Sequence, residues 1–183
     1  MLTICDGDIL NETATIVVPV NTVGVAGAGL AKQTKDRFPR FEKAYRDALS
    51  DGLLDVCKPV AVEDGQFILF ATKMHWKNPS SLVWISQGLE FLAAHIGEAP
   101  PSKQSVKYGD FSTITRIAIP KLGCGLGGLN WRDVLTLIHM HFDNSKFDIR
   151  IYGEELYMEE LFRPIPENEL PELPKSTEDL VKK

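Results

Sequence analysis

Apolar residues recur in two rhythms along this chain. Short runs rich in β-branched residues predict strands at 2–5, 15–20, 56–62, 67–71, 113–119 and 147–152. Composition predicts a helix over 30–37, broken by Phe38-Pro39, because proline cannot continue the hydrogen-bond ladder. A second helix runs over 40–50 with Phe41, Ala44, Tyr45 and Ala48 on one side, and Asp51-Gly52 stops it. A third opens at Pro79 and carries Leu82, Ile85, Leu89, Leu92 and Ile96 on one face to about 96. A fourth covers 130–142 with Val134, Leu135, Ile138 and Phe142 buried, and a short one follows at 154–162. Strands alternating with helices indicate an α/β sandwich around a mixed, mainly parallel sheet. Glu63-Asp64-Gly65 is the hairpin-type turn that supplies its antiparallel pair.

Two of the strands run straight into glycine. The run Ile16, Val17, Val18, Val20 ends at Asn21, and Gly24, Gly27 and Gly29 follow before a helix. The strand ending at Pro120 leads into G-C-G-L-G-G-L at 123–129, again before a helix. Glycines let backbone N–H groups approach phosphate oxygens, and a helix N-terminus adds partial positive charge. A flexible turn would read the same for one such loop. Two of them at the carboxyl ends of neighbouring strands make the two jaws of a cleft for an extended anion. Neither common phosphate motif fits: Gly29 is followed by Leu30-Ala31-Lys32 rather than Lys and a hydroxyl residue, and the glycine spacing is not that of the dinucleotide fingerprint.

Composition narrows the setting. The chain has 183 residues, enough for one domain with a real core, 44% hydrophobic and 25% charged residues. Its net charge of -5 argues against strong non-specific binding to a nucleic-acid backbone. Cys5, Cys57 and Cys124 are odd in number and widely spaced, so neither a disulfide framework nor a metal site is indicated. Asp6 and Asp8 interrupt any apolar leader, and no run reaches transmembrane length. The expectation is a cytoplasmic protein with no membrane contact, no cofactor and no obligate protein partner. A domain over 1–162 is expected, then a Pro- and Glu-rich tail over 163–183, disordered or draped. The Pro-, Ser- and Lys-rich stretch at 98–110 reads as a long surface connection.

Five pieces carry a family likeness: G-D-I-L at 7–10, V-N-T-V-G-V-A-G-A-G-L-A at 20–31, F-A-T-K-M-H-W at 70–76, I-P-K-L-G-C-G-L-G-G-L-N-W at 119–131, and I-R-I-Y at 149–152. On these residues the chain resembles the macro domain family of ADP-ribose-binding modules and hydrolases. The pieces occur in family order up to about Tyr152. T-K-x-H-W together with G-C-G-L-G-G-L-x-W is similar to the DarG-type branch, which reverses ADP-ribosylation of DNA bases. It is similar also to the terminal ADP-ribose protein glycohydrolase branch. The resemblance implies a three-layer α/β/α fold, ADP-ribose as ligand and ADP-ribosylated single-stranded DNA, linked through thymidine, as substrate.

It also implies roles. Asp8 would accept a hydrogen bond from the adenine amino group, where spacing alone reads as a turn. Ile9 and Tyr152 would line the base, although a core or rim position would account for either. Asn21 would orient the distal ribose, beside Thr22 and Thr72. The diphosphate would lie in the loops formed by Gly24, Val25, Gly27, Gly29 and Leu30, and by Gly123, Cys124, Gly125, Leu126 and Gly127. Lys73, at the end of a buried strand, would be the catalytic group together with Asn21, its pKa lowered by desolvation so that it acts on the anomeric carbon of the distal ribose. A solvated surface lysine is the ordinary alternative.

Two departures from the family pattern stand out. Ala28 occupies the place where relatives often carry lysine. Gly127 stands where the terminal protein glycohydrolases carry an acid–base aspartate, which leans the reading toward the nucleic-acid substrate. His75 and Trp76 flank Lys73, within reach of a base or packed on the sheet edge. A non-catalytic ADP-ribose reader and a hydrolase of modified protein or of a free ADP-ribose metabolite are the competing functions. The stretch after Arg163 is too short for the toxin-binding domain of DarG antitoxins, so action by chemistry alone is expected.

Overall fold

The computed structural model describes residues 1–97 and 109–154. The expected connection at 98–110, helix at 154–162 and tail therefore lie almost wholly outside the described residues. Strands β1 (Leu2–Cys5), β2 (Thr15–Asn21), β3 (Val60–Val62), β4 (Phe67–Lys73), β5 (Arg116–Pro120) and β6 (Asp148–Tyr152) form one sheet in the order β1-β6-β5-β2-β4-β3. Every pair is parallel except β3 with β4, so the sheet is mixed and mainly parallel.

Period-two alternation sorts the strands' side chains between two cores. Ile16, Val18, Val20, Phe67, Leu69 and Ala71 face helices α1 (Gly29–Arg37) and α2 (Phe41–Ser50). Val17, Ile68, Phe70, Ile117, Ile119, Ile149 and Ile151 face α3 (Leu82–His95) and α4 (Trp131–Phe142). With both faces covered, the central strands read as continuous apolar runs, as parallel sheets require. The result is three layers, α/β/α.

Three boundaries differ from the sequence expectation, each for a local reason. The strand expected over 56–62 begins at Val60, because Lys58 donates to the carbonyl of Asp55 at 3.1 Å and turns the chain first. Residues 79–81 stay outside α3, because the Ser80 N–H donates to the carbonyl of Gly127 at 2.9 Å. In the other direction, β4 extends past Ala71 to Lys73, which pairs with Asn21 across a register shift in β2.

Helix α3 lies close to the sheet through Gly88. A Cβ there would come 2.4 Å from Cζ of Phe70, whose ring is fully buried. Gly88→Ala is therefore expected to destabilise the fold by about 1–3 kcal/mol through overpacking. A thermal or urea melt checks this; an unchanged midpoint would mean that the Phe70 ring yields freely.

Candidate active site

Because five of the six strands are parallel, their carboxyl ends share one edge of the sheet. Along that edge lies a cavity of about 700 Å3, within the range of small-molecule sites. Ile9 and Tyr152 line it beyond β1 and β6, Pro120, Lys121 and the second glycine loop beyond β5, Asn21 and the first loop beyond β2, and Thr72, Lys73 and Trp76 beside β4. From β1 to β4 is four strand spacings, roughly 19 Å at about 4.8 Å each. The shape suits an extended ligand laid across strand ends.

Local sequence explains the cradle in the middle. Helix α1 begins after Ala28, whose side chain supplies no cap, and Ala28, Gly29, Leu30 and Ala31 all line the cavity. Its first-turn N–H groups thus meet the cavity without a side-chain acceptor. Helix α4, by contrast, is capped by Asn130, whose side chain accepts from the Arg132 N–H at 2.9 Å. Only the first of these two helix ends is left open to an anion.

Asn21 holds the first loop in shape. Its Oδ1 accepts from the N–H groups of Val23 (3.1 Å) and Val25 (3.2 Å), and its Nδ2 donates to the carbonyl of Val25 at 2.8 Å. Asn21 is in turn fixed by Tyr45 of α2. The phenol accepts from the Asn21 N–H at 3.1 Å and donates to the Asn21 carbonyl. Burial pushes the Tyr45 pKa up to about 12, against the pull of its backbone hydrogen bonds, so the hydroxyl stays a donor. Tyr45→Phe would leave the buried Asn21 N–H and C=O without that partner, at about 1–3 kcal/mol. A lower melting temperature with weaker binding of ligand in the cleft is expected, by calorimetry; unchanged values for both would release Tyr45 from this role. Sequence reading gave Tyr45 only a place in the core, since the pairing spans 24 positions.

Lys73 is 7% exposed, at the last position of β4. Its Nζ donates to the carbonyl of Leu126 in the second glycine loop at 2.9 Å. Burial lowers its pKa from the ordinary lysine value, and among the described residues no carboxylate pairs with it to raise the pKa again. Catalytic lysines are tuned in this way.

The second loop is shaped by close approach. A Cβ at Gly127 would lie 2.3 Å from both the Gly123 carbonyl oxygen and Ser80 Oγ. Position 127 therefore has room for glycine alone. The Ser80 hydroxyl beneath it is buried without a hydrogen-bond partner.

Four of the residues named from the sequence stand beside the cavity rather than in its lining. Asp8 caps the turn at Ile9–Asn11 through Leu10 N–H (2.9 Å) and faces Arg37 at 3.2 Å. Thr22 ties the ends of β2 and β4 together, donating through both N–H and Oγ1 to the carbonyl of Met74 at 3.0 Å. Gly24 turns the first loop against Leu49. The Cys124 thiol donates to the Leu122 carbonyl at 3.5 Å, and burial pushes its pKa up to about 11, so it is no nucleophile. Gly7, Pro19, Val20, Ala28, Ala31, Trp76, Pro120 and Lys121 join the lining although they were not among the named site residues.

Tyr152 donates to Glu12 at 2.8 Å, and Arg150 meets the same carboxylate at 3.0 Å. Burial works to raise the Glu12 pKa, but these bonds and one from the Thr13 N–H outweigh it and hold it low. Tyr152 is thereby fixed at the end of the cavity farthest from Lys73. Among the described residues no group of three or more His, Cys, Asp or Glu is placed to hold a metal ion, and no helix is long and apolar enough to cross a membrane.

Fold and cavity together define an α/β/α module with a cleft across the carboxyl edge of its sheet and the buried Lys73 at one end of that cleft. No protein-family model matches the chain. It is 38% identical to a DNA ADP-ribosyl glycohydrolase of Mycobacterium tuberculosis, over 73% of this chain and 36% of that protein. The structure of the macrodomain of Mycobacterium tuberculosis DarG superposes with a TM-score of 0.70 at 34% identity, covering 85% of this chain and 99% of that one. Thermosipho africanus DarTG in complex with ADP-ribose gives 0.67 at 30% identity, covering 91% of this chain and 43% of that one. The chain belongs to the macro domain family, among relatives of the DarG macrodomains. It spans about two fifths of the length of the curated DNA ADP-ribosyl glycohydrolases that it matches.

Proposed function

We propose that this chain binds ADP-ribose along the cavity and hydrolyses the bond between its distal ribose and a base of single-stranded DNA, thymidine in the first instance. The observation that carries the proposal is Lys73: a desolvated amine at the end of β4, held by the second glycine loop, at one end of a cleft whose middle is an anion cradle. The names of the relatives, DNA ADP-ribosyl glycohydrolase and a DarTG with ADP-ribose bound, support both ligand and substrate.

Adenine enters between Ile9 and Tyr152, with a free lone pair of Asp8 accepting from its amino group. The diphosphate takes the backbone N–H groups of the two loops and the open end of α1, a scheme that needs little side-chain charge and suits an acidic protein. The distal ribose then falls beside Asn21 and Thr72. The neutral Lys73 amine attacks the anomeric carbon; as the carbon–Nζ bond forms, the bond to the base nitrogen breaks and its electron pair leaves with the base, which takes up a proton. Water afterwards replaces the lysine on the sugar and restores the amine.

ADP-ribosylated single-stranded DNA and ADP-ribosylated protein, offered side by side, test the reading through ADP-ribose release. Release from the DNA and not from the protein is expected. Release from protein alone would overturn the substrate, and tight binding with release from neither would make the chain a reader.

A further inference from the structure

Eight large hydrophobic side chains are exposed among the described residues, and five of them gather at one place: Val23, Val25, Met74, Trp76 and Leu126. Hydrogen bonds already described join the segments that carry them. Asn21 binds the carbonyl of Val25, Thr22 that of Met74, and Lys73 that of Leu126. The patch therefore rims the Lys73 end of the cavity. A contiguous exposed apolar patch marks an interaction surface, whereas isolated ones need no explanation.

Its chemistry selects the partner. Trp76 is 49% exposed, and its ring stacks on that of His75 with centroids 5.4 Å apart and planes 29° apart. The Lys77 ammonium lies 5.0 Å from the centre of the indole and makes no ion pair among the described residues. Lys121, farther along the cleft, is neutralised by Glu154 at 2.8 Å. A half-open indole backed by imidazole, a lysine without a counterion and an aliphatic surround offer few groups for reading base edges. They suit an exposed base face and a nearby phosphate, which a single strand presents and a duplex does not.

We propose that this rim is a stacking platform for single-stranded DNA, on which Trp76 takes the face of an unpaired base adjoining the modified one while Lys77 meets the intervening phosphate. The proposal rests on the reading that DNA carries the ADP-ribose. It goes beyond that reading by assigning a surface for unmodified nucleotides at the rim of the cleft, where Trp76 both edges the cavity and stands half-exposed.

Two measurements on the full chain separate the proposal from the reading beneath it. In the first, ADP-ribose release is compared between a modified thymidine mononucleotide and the same nucleotide within a short oligonucleotide. The platform predicts a preference for the oligonucleotide of about tenfold in kcat/KM, in line with the stacking of one base. Trp76→Ala should erase that preference, chiefly through KM. Equal loss on both substrates would reduce Trp76 to cavity lining and overturn the platform. In the second, unmodified oligothymidylate is titrated into the protein while tryptophan fluorescence is followed. Quenching that disappears in Trp76→Ala and weakens in Lys77→Ala is expected. Release from modified DNA without such quenching overturns the platform alone, and quenching without release overturns the catalytic reading alone.

Discussion

Lys73→Ala is expected to lower the rate of ADP-ribose release on the order of 10³-fold or more, the scale on which loss of a nucleophile is felt. ADP-ribose itself should still bind within about tenfold of the parent chain, since only the hydrogen bond to the Leu126 carbonyl is lost from the second loop. Single-turnover release and calorimetric binding on the same preparation check the two halves. Unchanged release would remove Lys73 from the chemistry. The pH profile supplies an independent readout. Burial lowers the Lys73 pKa, so the amine form required for attack accumulates as pH rises through a value below that of free lysine. The rate should thus climb with pH and level off earlier than an unperturbed lysine would allow. The stability sign runs the same way: the unfolded chain binds the Lys73 proton more tightly than the native one, so this residue's contribution to stability improves as pH rises. At neutral pH the buried ammonium is a burden on the fold. Lys73→Met should therefore melt no lower than the parent while being inactive, the trade expected of a functional group kept against stability.

Gly127→Asp should weaken ADP-ribose binding strongly rather than create a protein-type glycohydrolase. The added Cβ would sit 2.3 Å from the Gly123 carbonyl oxygen and equally close to Ser80 Oγ, and the first of these is backbone. The second loop has to move, which withdraws the Leu126 carbonyl from Lys73 as well as the loop N–H groups from the ligand. Overpacking of this kind costs about 1–3 kcal/mol in stability. Loss of binding by about 100-fold is expected from the displaced loop. Retained ADP-ribose affinity in this variant, measured by calorimetry, would show that the loop tolerates a side chain and that Gly127 is there for another reason.

Much of this was legible before any coordinates. Alternation and β-branched runs mark the strands, and the switch to helical spacing after each glycine loop marks α1 and α4. Both are consequences of burying one stripe or both faces of an element, which any reader of the chain can apply. Lys73 was legible too, because a lysine that ends an apolar strand must be desolvated wherever the sheet is covered. Its environment, though, depends on a carbonyl 53 positions away. Tyr45 shows the limit more sharply. Helical spacing put its ring in the core, but nothing local tells that its hydroxyl takes both backbone groups of Asn21.

The sequence by itself determined the order and type of the elements, the two glycine loops and the place of Lys73 at the end of an apolar strand, since each follows from the period, branching or conformational freedom of neighbouring residues. The tertiary structure alone decided what those parts do together. Parallel pairing brought the strand ends to one edge, with β2 between β5 and β4, and so set Asn21 beside Lys73 and both beneath the two loops. Close packing decided that Gly127 has no room for a carboxylate, and tertiary contacts set Thr22, Gly24 and Cys124 beside the cleft rather than in its lining. Contacts between distant segments have no signature in local spacing, and it is those contacts that turn a glycine-rich strand end into one side of a binding site.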